Sequence, residues 1–208
     1  MPAASPPSPP RSSPLALTVL SLLSYQPLHP YGIRRLIKQW GKEQVVNVGQ
    51  PATLYRTIER LLEAGLISVL ETGRDQRYPE RTVYEITSSG RETAKIWLTD
   101  MLARPANEFP QFPTALSYLM LLPPDEAAPA LAARAASLRK QLEALSAASD
   151  VPLPRVTTLD EEYLRVVTEA ELTWVEGVAD DLATGRLTWD AAELIALAAG
   201  QDRAFMDS

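Results

Sequence analysis

The chain has 208 residues, 46% of them hydrophobic and 22% charged, with one His, no Cys and a net charge of −6. That is enough apolar material for one large domain or two small ones. The lack of thiols excludes a disulfide framework and a thiolate metal site and fits a reducing cytoplasm, and with His29 as the single imidazole no metal cluster, cofactor site or nucleophilic triad stands out, so the chain is read as a non-enzyme.

Charge is unevenly spread. Residues 1–104 hold 13 Lys and Arg against 9 Asp and Glu, a balance of +4, whereas residues 105–208 hold 7 against 17, a balance of −10. Only the first half could face a polyanion. The chain opens with MPAASPPSPPRSSP, whose prolines predict a disordered tail over residues 1–13. Ser13 and Pro14 then read as a cap and a first helical position, opening a helix over about 14–24. Its apolar run LALTVLSLLSY follows Arg11 as a secretory signal would, but it precedes QPLHP rather than a small-residue cleavage site and is too short to span a bilayer. It is read as a buried core helix, with no membrane partner.

A second helix starts at His29-Pro30 and ends near Gly41, with Ile33, Leu36, Ile37 and Trp40 on one face. A third begins at Pro51: Leu54, Ile58, Leu61 and Leu62 form its apolar stripe and Gly65 its stop. Gln50, Thr53, Arg56, Thr57 and Arg60 fall off that stripe and are expected to meet a major groove. Ile67 to Glu71 and Thr82 to Ile86 are rich in β-branched residues and predict a hairpin, with TGRDQRYPER as a long irregular tip carrying Arg74, Arg77 and Arg81. Arginine suits phosphates and narrow minor grooves. Thr87 or Ser88 caps a fourth helix, with Ala94, Trp97, Leu98 and Met101 on one side. Three helices, a hairpin and a closing helix describe a winged helix-turn-helix over residues 14–104.

Residues 105–208 form a second, helical region. After a Pro-rich linker over 105–113, TALSYLMLL predicts a short buried helix. Pro123-Pro124-Asp125 caps a longer one, in which Leu131, Ala135, Leu138, Leu142 and Leu145 make a coiled-coil-like seam, and Ser149 to Pro154 breaks it. A last helix over about 159–184 carries Leu159, Tyr163, Val166, Ala170, Trp174, Val178 and Leu182 at helical spacing. Two seams in one hairpin lack partners to bury both faces, so a second copy of the chain is expected to cover the remainder. Leu131, Leu138, Leu142, Tyr163, Val166, Trp174 and Val178 are the candidate dimerisation residues.

The first hundred residues resemble the PadR family of transcriptional regulators in three ordered segments: LSLLSYQPLHPYGIRRLI, GQPATLYRTIERLLEAGLI and RTVYEITSSGRETAKIWL. The resemblance implies that Tyr55, and Tyr31 near the start of the second helix, bond phosphates through their hydroxyls, with His29 either assisting or stabilising the turn. Gln50 and Thr53 are the candidate base readers, Arg56 and Arg60 read or grip the backbone, and Arg74, Arg77 and Arg81 supply wing contacts. It also implies that the C-terminal helices dimerise. Relatives that release DNA on binding phenolic compounds or drugs make Trp174, Tyr118 and Tyr163 candidate residues for a small aromatic or hydrophobic effector, although rings at helical spacing usually pack as core.

The expected fold is therefore mainly α: a winged helix-turn-helix with a two-stranded wing, then an α-helical dimerisation hairpin. The expected function is that of a cytoplasmic, homodimeric PadR-like repressor of double-stranded DNA with an inverted-repeat operator. The rival reading is a winged-helix protein-interaction module without DNA binding.

Overall fold

A computed structural model describes residues 12–75, 78–146, 154–194 and 196–197; in the wing, the side chains of residues 72–81 fall outside the description. Most of the expected tail, the break at 149–153 and Arg77 also lie outside it. The chain divides into two compact units, residues 1–107 and 108–208. Among the described residues, no helix is long and apolar enough to cross a membrane.

The N-terminal unit holds α1 (Pro14–Tyr25), α2 (Pro30–Gln39), α3 (Pro51–Glu63), β1 (Ile67–Asp75), β2 (Tyr78–Ile86) and α4 (Ser88–Ala103). Its core is built on α1. Val19 and Leu20 are fully enclosed and pack in one cluster with Ile33 and Ile37 of α2, Leu54, Ile58 and Leu61 of α3, and Trp97 of α4. Each such side chain stabilises the fold by about 2 kcal/mol relative to exposure. Trp40, expected on the inner face of α2, is instead the residue that ends that helix; it is 43% exposed and meets Tyr25 edge to face at 6.0 Å. Leu98, expected beside Trp97, is 48% exposed. In α4 only Trp97 and the half-buried Ala94 join the cluster.

The three interior helix starts are set by different residues. Ser13 accepts from the N–H of Ala16, His29 from that of Gly32 and Thr87 from that of Gly90. The end of α3 is a left-handed stop: Gly65 has φ +68°, its N–H donates to Leu62 and the N–H of Leu66 donates back to Leu61.

The wing differs from expectation. The strands run on through the segment expected as an irregular tip: Thr72 pairs with Thr82, Gly73 with Arg81 and Asp75 with Tyr78. Backbone pairing makes no demand on side-chain type, so the polar composition hid the strands. Register shifts at Val69/Glu71 and Gly73/Asp75 mark two irregularities. A third short rung joins this sheet. Leu28, between α1 and α2, exchanges two backbone hydrogen bonds with Tyr84, at 3.0 and 2.9 Å.

The C-terminal unit holds α5 (Gln111–Ser117), α6 (Pro124–Ser146) and α7 (Leu159–Ala183). The stretch expected as one buried helix is split into α5 and a 3-10 turn at Leu119–Leu121, and Tyr118 and Leu121 are 61% and 60% exposed. Ala127, Leu131, Ala135 and Leu138 of α6 are buried with Val175 and Leu182 of α7. Just past α7, Trp189 Nε1 donates to the carbonyl of Leu122, just before α6, at 2.9 Å. Leu131 and Leu138, expected in a dimer interface, are 4% and 7% exposed in the single chain.

Candidate nucleic-acid interface

The outward side of α3 follows from its stripe. Residues 54, 57, 58 and 61 point inward, at spacings of three, one and three, and leave Gln50, Thr53, Tyr55, Arg56 and Arg60 exposed. Thr57, expected to face a groove, is buried at 2%. It sits between the Leu54 and Ile58 positions of the stripe, and its hydroxyl donates to the carbonyl of Thr53 at 2.8 Å, so it enters the core with its polar atom satisfied. Tyr55 is 52% exposed.

The outward side of α2 carries, beside the expected Tyr31, three cations that the sequence analysis does not single out. Tyr31, Arg34, Arg35 and Lys38 are all exposed, at spacings of three, one and three opposite Ile33 and Ile37, and α2 has no acidic residue. The signal for Arg34, Arg35 and Lys38 is present in the string YGIRRLIK, opposite the core positions Ile33 and Ile37.

The arginines of α2 and α3 differ from most of those elsewhere. Every described arginine of the C-terminal unit is paired with a carboxylate: Arg134 with Glu171, Arg139 with Glu176, Arg155 with Glu162, Arg165 with Glu169, and Arg186 with Asp180 and Asp181. Arg104 pairs with Asp100 at the end of α4. Arg34, Arg35, Lys38, Arg56 and Arg60 form no ion pair among the described residues. An exposed cation without an internal partner keeps its full charge for an external anion, and five of them on two adjoining helices make a surface suited to phosphates.

Arg74 and Arg81 lie on β1 and β2, with Arg81 opposite Gly73, and their side chains are outside the described residues, as is all of Arg77. The Thr-x-x-Gly-Arg segment after the wing is structural. Thr87 donates to the carbonyls of Gly65 and Leu66, Ser89 to that of Gly65, and Arg91 reaches back to the carbonyl of Ser24 at the end of α1, at 3.3 Å.

In the C-terminal unit, the α7 stripe divides. Val178 and Leu182 face α6, whereas Leu159, Tyr163, Val166 and Trp174 are 45%, 67%, 55% and 49% exposed. Leu142 is half-buried. Of the three effector candidates, Tyr118 and Tyr163 are 61% and 67% exposed. Trp174 meets Phe112 edge to face at 6.1 Å; the guanidinium of Arg134, paired to Glu171, lies 3.6 Å over the Phe112 ring. No group of His, Asp or Glu side chains that could hold a metal ion occurs among the described residues.

Comparison with known proteins adds the following. Residues 19–96 match the model of the "Transcriptional regulator PadR-like family". Among curated proteins no match is found. Bacillus subtilis PadR in complex with operator DNA superposes with a TM-score of 0.65 at 19% identity, covering 81% of this chain and 98% of that one. The same organism's PadR in complex with p-coumaric acid gives 0.63 at 17% identity, covering 82% and 99%. The Vibrio cholerae virulence activator AphA gives 0.57 at 22% identity, covering 82% and 98%. At these identities the structural likeness is one of fold.

Proposed function

We propose, from the match of residues 19–96 to the PadR-like family of transcriptional regulators, that this chain is a homodimeric repressor that binds double-stranded operator DNA. The observation that carries the reading is the cluster of five cations on the outward faces of α2 and α3 that form no ion pair among the described residues, in a chain whose other described arginines nearly all have carboxylate partners. In this reading Gln50 and Thr53, at the start of α3, read base edges, while Tyr31, Tyr55, Arg56 and Arg60 hold phosphates. Arg74, Arg77 and Arg81 supply the wing contacts.

The exposed part of α7 supports dimerisation. Leu159, Tyr163, Val166 and Ala170 step by four, three and four, the spacing of a coiled-coil seam, and their apolar side chains face water in the single chain. A second copy covers this seam; Leu131 and Leu138 contribute by shaping α7 from behind. Two copies bring two reading helices, which suits an inverted repeat with half-sites about one duplex turn apart. The working compartment is the cytoplasm, where the DNA is.

An effector would bind near Trp174, beside Phe112 and Arg134, where an aromatic surface and a guanidinium coincide. The Bacillus subtilis relative solved with p-coumaric acid supports an aromatic acid as the first probe. Such a ligand changes DNA affinity only by binding one dimer geometry better than another.

Selection of bound fragments from the source genome, followed by fluorescence anisotropy on the selected and scrambled duplexes, tests the reading. Preference for an inverted repeat is the expected result. Equal, weak binding to all duplexes favours the protein-interaction module, and a reporter that rises with the regulator would make it an activator.

A further inference from the structure

His29 is the chain's single histidine, and it closes the first turn of α2 by accepting from the backbone N–H of Gly32 through Nδ1 at 2.9 Å. An imidazole accepts only through a nitrogen that carries no hydrogen, so this bond fixes the tautomer and the ring plane. The surroundings hold it further. Leu28 is bonded twice to Tyr84 of β2, so the backbone entering the cap is anchored to the sheet. Pro30 sets the first helical position. A Cβ at Gly32 would stand 3.3 Å from Leu28 Cδ2 and 3.5 Å from His29 Cε1, so the imidazole closes over a position that only just leaves room for it.

The ring so fixed is not idle. Tyr31 lies against it with centroids 6.0 Å apart and planes 14° from parallel, yet Tyr31 is 67% exposed. A surface ring stacked on a fixed partner loses less freedom on binding than an unsupported one. Arg34 and Arg35, three and four residues on, share its side of α2.

We propose that His29 is a positioning residue for DNA contact: the cap holds the imidazole, the imidazole holds the Tyr31 ring, and the ring presents its hydroxyl to a phosphate beside Arg34 and Arg35. This rests on the DNA-binding reading above and adds to it a supporting residue that touches no nucleotide.

The test separates capping from stacking. Asn caps a helix as well as any residue but offers no ring, so His29→Asn keeps the melting temperature of the full chain while removing the stack. Its affinity for a selected duplex is expected to fall about five- to tenfold, the scale of a ring–ring contact. Tyr31→Phe, which keeps the stack and loses the hydroxyl, is expected to lose a similar factor. The double variant should be no weaker than the weaker single, because both changes remove one contact. Multiplicative losses, or His29→Asn binding like the parent, overturn the proposal. Should His29→Asn melt early, His29→Ser supplies a neutral cap in its place and is read by the same cycle. A parent protein that binds no duplex overturns the DNA reading, and this proposal with it.

Discussion

Gly90 stands so close to Leu66 that a Cβ built at residue 90 would lie 2.0 Å from the Leu66 carbonyl oxygen and 2.8 Å from Ile86 Cγ1. The start of α4 is pressed onto the turn that leaves α3, and Thr87 and Ser89 pin it there by hydrogen bonds to Gly65 and Leu66. Backbone cannot yield as a flexible side chain can. Gly90→Ala is therefore expected to destabilise the N-terminal unit by about 3 kcal/mol, measured by urea unfolding. Gly177 in α7 has open space at the same position, and Gly177→Ala should stabilise by up to about 1 kcal/mol through helix propensity.

The two sides of the α6–α7 pair should respond differently to mutation. Leu131→Ala empties a position 4% exposed and is expected to cost about 3 kcal/mol of stability, seen in thermal unfolding. Val166→Asp adds charge to a side chain that is 55% exposed, so helical content by circular dichroism should hold. Sedimentation should then give the mass of one chain. A Val166→Asp protein that stays dimeric at micromolar concentration removes α7 from the interface.

On DNA, the outward cations and the helix start should separate by salt and by sequence. Arg34→Ala and Arg77→Ala each remove one phosphate contact, so the slope of log affinity against log salt should flatten by about one unit in each case, on any duplex. Thr53→Ala should cost roughly 1–3 kcal/mol on the operator and little on scrambled DNA. Anisotropy titrations across a salt series read both effects.

Arg155 grips Glu162 with two bonds, Nε to Oε2 at 3.0 Å and Nη2 to Oε1 at 2.7 Å, and the pair joins the turn before α7 to that helix. The hydrogen bonds from Arg155, and then its charge, hold the Glu162 carboxyl below its ordinary value. A carboxylate depressed in the folded state stabilises above its unfolded pKa, and that contribution disappears as pH falls through the folded value. Carbon-detected titration should find Glu162 protonating at lower pH than an ordinary glutamate, and Arg155→Ala should return it to that range. Both groups are exposed, so added salt should shrink the difference.

The fold was legible where the sequence carried a period or a cap. Ser13, Gly65 and Thr87 announced their helix boundaries, and Leu54, Ile58 and Leu61 announced the inner face of α3. What was hidden is physically alike in each case. Thr57 looked polar, but its hydroxyl can be satisfied by the helix itself, so the side chain could turn inward. The outer strand pairs of the wing needed only backbone bonds. The α7 stripe drifts around the helix because beyond Ala170 it advances by four residues at each step, about 40° past a full turn each time, so one apparent seam serves two surfaces. Arg34 and Arg35 were visible in the string, but their lack of acidic partners among the described residues could be known only once the ion pairs elsewhere were seen.

Leu28 sets a length requirement on the chain between α1 and α2. Because it is a rung of the sheet, bonded in both directions to Tyr84, the spacer has one permitted residue count. An inserted alanine before Leu28 would either break both bonds or rotate the next residue to the opposite side of the rung, carrying the imidazole away from Gly32. Loops of similar size on a protein surface commonly accept insertions; this one should reject them, and deep insertional scanning would find it as a gap in the tolerated positions.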